Sequence, residues 1–295
     1  MSSCLRGRYE VARQHNFLTS RRDLYYRDPA LFGSQAVVNR YVDSIAYTLN
    51  VPRSTLHVTA AAKGLVAGAF NICRRDGSFV SAANEKEGML VPMLKDILSL
   101  DMSAVKWILV IEKEASFRSI AASTFYERIS TEGIIMTGKG YPDVATRVLL
   151  RFMATASPPN GFASPPVFCL VDFDPDGLAI MSTYKDASAA LTHENNEDLR
   201  VPQMQWLGLR SGAFGNVTDE LHGEQGLLPL TSRDRRKAVS MLARHDPDAS
   251  DEHEAEVRNA LQTMLMLNTK AELQLLDASP RGMEDLLTSA LGDLE

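Results

Sequence analysis

Cysteine is scarce in this chain and badly placed for pairing. Cys4, Cys73 and Cys169 are odd in number, far apart, and form no C-x-x-C. A disulfide framework and a Cys-based zinc site are excluded, and a reducing compartment is expected. No apolar run approaches membrane-spanning length, and the opening "MSSCLRGRYEVARQHNF" lacks the apolar core of a signal peptide. A soluble, intracellular protein is expected. Excess basic charge is missing too: 31 Lys and Arg face 37 Asp and Glu, for a formal net charge of -6. If nucleic acid is a partner, local clusters must hold it, because the overall field does not favour it. The six histidines form no ligand-like pair and suggest no Ser-His-Asp arrangement. Apolar residues are not lacking: they make up 45% of 295 residues, enough for one large domain or two smaller ones.

Hydrophobic patterning divides the chain into three parts. Near the start, "LTSRRDLYYRD" has Ser20 and Asp23 in capping-box spacing, so a short helix is expected from about Arg21. A second helix is expected in "SQAVVNRYVDSIAYTLN". "STLHVTAAAKGLVAGAF" then reads as a small hairpin, broken at Lys63–Gly64. Helix, helix, hairpin is the closing order of a winged helix, a helix-turn-helix variant whose second helix enters a DNA groove. In the middle, "VKWILVI", "GIIMTG" and "PVFCLV" read as buried strands. Helical runs separate them, "ASFRSIAASTFYERI" and "YPDVATRVLLRFMA", and another is expected from Gly177. This alternation implies a parallel, doubly wound sheet, which collects ligands beyond the carboxyl ends of its strands. The last third reads as mostly helical, with Thr231 or Ser232 capping "TSRDRRKAVSMLARH".

Three strand ends therefore define a crevice. The first ends in Glu112, the second in Gly138–Lys139–Gly140, and the third in Asp172 and Asp174. "DFDPDG" imitates an EF-hand opening, but loop position 12 is Thr183 where a bidentate Glu is needed, and a strand precedes the loop. Gly133, Gly138 and Lys139 imitate a P-loop, but Gly140 replaces the metal-holding Ser or Thr and the spacer "IIMT" is itself strand-like. Three carboxylates crowded at adjacent strand ends repel one another unless a cation joins them. Oxygen-only ligands favour Mg2+ or Mn2+. The other notable run is Tyr25–Tyr26, flanked by Arg21, Arg22 and Arg27. Its bland reading puts one ring in the core and one at the surface. Its chemical reading is a phenol nucleophile whose neighbouring arginine stabilises charge on an attacked phosphate.

Together these segments resemble the A-type component of topoisomerase VI and its eukaryotic relative, the meiotic transesterase that makes recombination-initiating double-strand breaks. The resemblance is carried by "RRDLYYRD", "AAAKGLVAG", "VIEKEASF", "TGKGYPDVATR", "DFDPDG", "QWLGLRSGAF" and "LTSRDRRKA". It spans nearly the whole chain and leans toward the meiotic branch. It implies a mixed α/β protein with an N-terminal winged-helix (catabolite-activator-like) domain over residues 1–88. A Toprim metal-binding domain with a parallel sheet and helical C-terminal part would follow over residues 104–295. Only about twenty residues precede the tyrosine motif, so the winged helix is expected to be N-terminally clipped. By resemblance, Tyr26 is the nucleophile and Arg22 its catalytic arginine. Glu112, Asp172 and Asp174 hold Mg2+, with Mn2+ as a substitute, and Glu112 doubles as an acid–base residue. Asp176 falls at a variable position. Lys63, Lys139 and Tyr141 lie against double-stranded DNA. The family further implies a homodimer with composite active sites, a B-type subunit that brings any ATP chemistry, other meiotic break factors, and a place in the nucleus on chromosomes. Three other readings stay open: an archaeal-type topoisomerase VI of the A type, a non-catalytic DNA-binding scaffold, and a Toprim nuclease that uses water.

Overall fold

The structure, a computed structural model, describes residues 19–49, 56, 58–59, 62–83, 85, 87–186, 199–208, 227–244, 252–278 and 282–292. At the N-terminal end lie α1 (Arg21–Arg27), a short turn of helix over Pro29–Phe32 capped by Asp28, and α2 (Gln35–Leu49). Phe32, Val38, Val42, Ala46 and Leu56 form a small core of their own, against which Leu24 and Tyr25 pack. A two-residue parallel pairing joins Thr19–Ser20 to Val58–Thr59.

The chain then enters β1 (Leu65–Gly68), β2 (Asn71–Arg74), β3 (Phe79–Ser81), β4 (Met89–Leu90) and β5 (Ile97–Asp101). Among the described residues of "STLHVTAAAKGLVAGAF", the expected hairpin pairing is not present. Val58–Thr59 pairs with Thr19–Ser20, whereas β1 pairs antiparallel with Gly133–Thr137, far along the chain. The apolar Leu-Val-Ala run of β1 is fully buried, and a large sheet covers it better than a solvated wing does. Residues 65–101 thus pack with the sheet that follows them, and the sheet begins ahead of the expected boundary at residues 88–104. Strands β3, β2 and β5 form a separate antiparallel sheet of three.

The alternating region follows the expected rhythm. β6 (Trp107–Ile111) leads to α3 (Glu114–Ala121) and α4 (Thr124–Ile129), then β7 (Gly133–Thr137), α5 (Val144–Ala154), β8 (Val167–Val171), α6 (Pro175–Lys185) and β9 (Gln205–Gly208). The sequence pattern predicts one long helix between β6 and β7. Two form, because the Ser123 side chain accepts from the Tyr126 amide and restarts the helix. The strand order is β9-β8-β6-β7-β1-β4. The first four strands run parallel, and β1 and β4 add an antiparallel edge, so the sheet is mixed and not purely parallel.

Strands β6, β7 and β8 are buried at every position, as their unbroken apolar sequences require. Ile108, Val110, Met136 and Cys169 face one cluster with Leu149, Leu150, Leu178 and Met181 of α5 and α6. Leu109, Ile111, Ile135 and Leu170 face a second cluster with Phe117, Ile120 and Phe125 of α3 and α4. The C-terminal part contributes β10 (Leu227–Pro229), α7 (Ser232–Leu242), α8 (Glu252–Leu267), β11 (Thr269–Ala271) and α9 (Gly282–Gly292). Thr231 caps α7 in a reciprocal capping box with Asp234. Strands β10 and β11 pair within a stretch expected to be mostly helical. No helix among the described residues is long and apolar enough to cross a membrane.

The contact between β1 and β7 requires glycine. Gly68 has a φ of +134°, and a β-carbon there would lie 2.1 Å from the Gly133 carbonyl oxygen. Gly68→Ala is expected to cost at least about 2 kcal/mol of stability, combining backbone strain with overpacking. Denaturant melts of the two proteins check this; equal midpoints would contradict it.

Candidate active site

The switch in strand order lies at β6, whose neighbours β7 and β8 are reached in opposite directions. A parallel sheet opens a crevice at such a point, beyond the carboxyl ends of the strands. Ile111 is level with Leu170 on one side and Thr137 on the other. Glu112 follows Ile111 directly, and Asp172 follows Leu170 after Val171, so the two acids emerge at the same end of adjacent strands.

Glu112 is fastened to both neighbours. Its amide donates to the Leu170 carbonyl at 3.0 Å, and its carbonyl accepts from the Gly140 amide at 2.9 Å. The same carbonyl accepts from the Thr137 hydroxyl at 3.2 Å. Its side-chain Oε2 accepts from the Asp172 amide at 2.9 Å. Gly177 makes room for this arrangement: a β-carbon there would lie 2.4 Å from the Asp172 carbonyl oxygen and 3.1 Å from Glu112 Oε2. Burial, and next the charge of Asp172, push the Glu112 carboxyl up to about 7.

Asp172 is almost wholly buried. Oδ1 accepts from the Leu273 amide at 2.8 Å, and Oδ2 pairs with Lys113 Nζ at 2.8 Å. Asp174 caps α6, its Oδ1 accepting from the Gly177 amide at 2.6 Å. Burial raises its pKa, with Asp172 and Asp176 adding repulsion. Between the two aspartates, Phe173 exchanges both backbone hydrogen bonds with Ala271 of β11, at 2.8 and 3.0 Å. Its ring stacks on Trp206 at 6.3 Å.

Asp176 belongs to a different network. It pairs with Lys237 of α7 and with Arg233 at 3.5 Å, and it accepts from the Tyr141 hydroxyl at 3.4 Å. Lys237 also donates to the Tyr141 oxygen at 2.6 Å and lies over the Tyr141 ring. The third acid of "DFDPDG" thus ties Tyr141 to α7. Lys139 occupies the left-handed region at φ 54°, steadied by its amide donating to Thr137 Oγ1, and its ammonium pairs with Glu114 at 3.1 Å. Lys63, expected on a wing, sits beside the same turn, its ammonium donating to the Lys139 carbonyl and its amide to Asp143. Burial lowers its pKa, with Lys139 adding to the effect against Asp143.

The crevice therefore gathers Glu112, Asp172 and Asp174, with Lys63, Lys139 and Tyr141 on the turns around it. Tyr26 stands apart. Tyr25 packs into the N-terminal cluster, while Tyr26 is 69% exposed on α1. No hydrogen bond or ion pair among the described residues links Tyr26 to the carboxylates. The Arg22 side chain lies outside the described residues. Sequence reasoning missed Lys113, Lys237, Arg233 and Glu272, whose partners are distant in the chain.

Desolvated, oxygen-only donors, with the Glu112 and Asp174 carboxyls raised first by burial and then by neighbouring acids, suit a hard divalent cation in their chemistry. The arrangement is less complete. Among the described residues no three acidic, His or Cys side chains form a group that could hold a metal ion, and Asp172 has both oxygens committed.

A switch-point crevice lined by a strand-end glutamate and an Asp-x-Asp loop defines a Toprim-type α/β domain. Residues 107–286 match the family signature described as the Toprim domain of Spo11 and the topoisomerase 6 A-type component, and residues 8–58 match "Type IIB DNA topoisomerase". The chain belongs to this topoisomerase 6A/Spo11 family. It is 35% identical over 266 residues to "Meiotic recombination protein SPO11-1" of Oryza sativa subsp. indica, covering 90% of this chain and 66% of that protein. It is 33% identical over 268 residues to "Meiotic recombination protein SPO11" of Mus musculus, covering 91% and 64%. It is also 33% identical over 264 residues to the A-type component of DNA topoisomerase 6 from Arabidopsis thaliana, covering 89% and 58%. The chain thus spans just under two thirds of the length of the rice and mouse proteins.

The raised Glu112 pKa has a definite consequence for the metal-free protein. A folded-state pKa of about 7, above the ordinary 4.5, means that stability held below pH 4.5 is lost as pH rises through 7. Glu112→Gln removes that titration. Its loss of stability between about pH 5 and about pH 8 is expected to be smaller by roughly 1–3 kcal/mol. Denaturant melts at the two pH values in a chelator read the difference, and identical slopes would refute it.

Proposed function

We propose that this chain is a Mg2+-dependent DNA-cleaving transesterase that makes double-strand breaks and initiates meiotic recombination. The observation that carries this reading is the crevice itself: buried carboxylates set against each other at a strand switch, while a tyrosine stands exposed on a separate helical unit. Metal-assisted phosphotransfer to a protein side chain uses both parts, a nucleophile and a cation-holding site.

The Tyr26 oxygen attacks the scissile phosphorus and forms a 5′-phosphotyrosyl bond. The bond to the 3′-oxygen breaks, and that oxygen leaves as a free 3′-hydroxyl. Glu112 accepts or returns the proton exchanged in these steps. Arg22, one turn before Tyr26, steadies charge on the phosphorane-like transition state. Glu112, Asp172 and Asp174 would hold Mg2+, or Mn2+ in its place, which supplies charge compensation at the phosphate. Lys63, Lys139 and Tyr141 line the approach and meet the DNA backbone.

Because Tyr26 stands exposed on α1, a helix packed on a hydrophobic cluster of its own, and no hydrogen bond or ion pair among the described residues links it to the carboxylates, the reading calls for a homodimer in which one protomer's tyrosine serves its partner's crevice. It calls also for a winged-helix fold around α1 and α2, a B-type subunit for any ATP use, other meiotic break factors, and a nuclear, chromosomal location. The Arabidopsis topoisomerase component, nearly as similar as the meiotic relatives, favours a second reading in which the same cleavage is followed by resealing.

Trapping of covalent protein–DNA complexes with Mg2+ or Mn2+ tests the proposal. Wild type and Tyr25→Phe are expected to leave protein on 5′ ends, and Tyr26→Phe is expected to leave none. Free 5′ phosphates from wild type would point to attack by water. Equal adduct from Tyr26→Phe would end the nucleophile assignment.

A further inference from the structure

Asp172 already has a cation. Lys113 Nζ lies 2.8 Å from its Oδ2, and the same ammonium reaches Glu272 at 3.4 Å and Gln274 Oε1 at 3.0 Å. The Leu273 amide takes the other Asp172 oxygen at 2.8 Å. Asp172 is 4% exposed, so this pairing is sheltered from solvent competition. Lys113 follows Glu112 directly and is fixed as the residue before α3. By contrast, no hydrogen bond to Glu112 Oε1 or Asp174 Oδ2 occurs among the described residues. The crevice thus has two open carboxylate oxygens, and a third carboxylate occupied by a lysine.

We propose that Lys113 is the resident counter-ion of the metal-free crevice, and that a divalent cation and Lys113 compete for Asp172 Oδ2. Two cations cannot approach one carboxylate oxygen to contact distance without strong mutual repulsion. Metal entry therefore releases the ammonium to Glu272 and Gln274, which keep it at the rim. Without metal, the lysine offsets the repulsion between Asp172 and Glu112, so the site stays folded but unarmed. Lys113 is a positioning residue, acting on the site through Asp172. This inference depends on the proposed metal-holding role of Glu112, Asp172 and Asp174, and the experiment separates the two ideas.

Mn2+ alone is titrated into wild type, Lys113→Gln, Lys113→Arg, Asp172→Asn and Lys106→Gln, with bound Mn2+ followed by electron paramagnetic resonance. Lys106 stands at the opposite end of β6, paired with Glu132, and controls for net charge. Lys113→Gln is expected to bind about tenfold more tightly than wild type, the scale of one sheltered ion pair released. Lys113→Arg and Lys106→Gln are expected to stay at wild-type affinity, and Asp172→Asn to bind poorly. Unchanged or weaker binding by Lys113→Gln, with Asp172→Asn still defective, overturns the Lys113 assignment alone. No Mn2+ binding by wild type or Lys113→Gln overturns both ideas. A wild-type measurement covers the case in which Lys113→Gln fails to fold. Acylation of Lys113, read by mass spectrometry, is expected to rise several-fold on adding Mn2+ and also in Asp172→Asn without it. Constant or reduced reactivity on adding Mn2+ overturns the exchange.

Discussion

The hydrogen bond from the Asp172 amide to Glu112 Oε2 is the constraint on which the rest of the crevice depends. It forces two carboxylates, each attached to a buried strand, to share one desolvated corner. Everything nearby answers that demand. Gly177 withdraws its side chain so that the loop fits. Asp174 turns into a helix cap, which gives part of its charge a backbone partner. Leu273 and Lys113 take the two oxygens of Asp172. An isolated pair of buried acids would be unstable, because low dielectric magnifies repulsion and removes hydration together.

The strands that carry these acids were legible because their sequences are unambiguous. "WILVI", "GIIMT" and "VFCLV" are short, apolar throughout and bounded by turn residues, which only a sheet buried on both faces accommodates. Glu112, Asp172 and Asp174 followed as the first polar residues beyond them. The strands of the separate three-stranded sheet were not legible. Asn71–Arg74, Phe79–Ser81 and Ile97–Asp101 are half-buried and irregular, and their identity comes from partners elsewhere in the chain. β11 hid inside a helical-looking run because Asn268, in the left-handed conformation at φ 53°, ends α8 abruptly. "AAAKGLVAG" misled for a related reason. Local pattern identifies a strand, while the sheet that takes it is decided by burial.

Site residues divide along the same line. Those displayed at strand ends could be read directly. Those that tune the site could not, because they arrive from far away: Lys237 meets Asp176 from 61 residues on, and Gln274 meets Lys113 from 161 residues on. Charge alone marks such residues as solvated surface in a sequence, and only packing shows where they end up. The two tyrosines show the opposite case. Adjacent on α1 and turned about 100° apart by the helix, they divide as the bland reading expects, with Tyr25 packed on the N-terminal cluster and Tyr26 exposed.

Phe173, clasped by Ala271 between the two aspartates, bears on when the site comes into being. The loop that bears the acids leaves the ribosome about a hundred residues before the strand that holds it. Until β11 is made, Phe173 lacks its ladder partners and the Asp172 side chain lacks Leu273. The crevice therefore closes after the sheet that frames it. A growing chain would carry a finished scaffold with no working carboxylate corner. Competence would arrive only once β11 and Leu273 have been made, so a product interrupted before them could fold its sheet without gaining the chemistry.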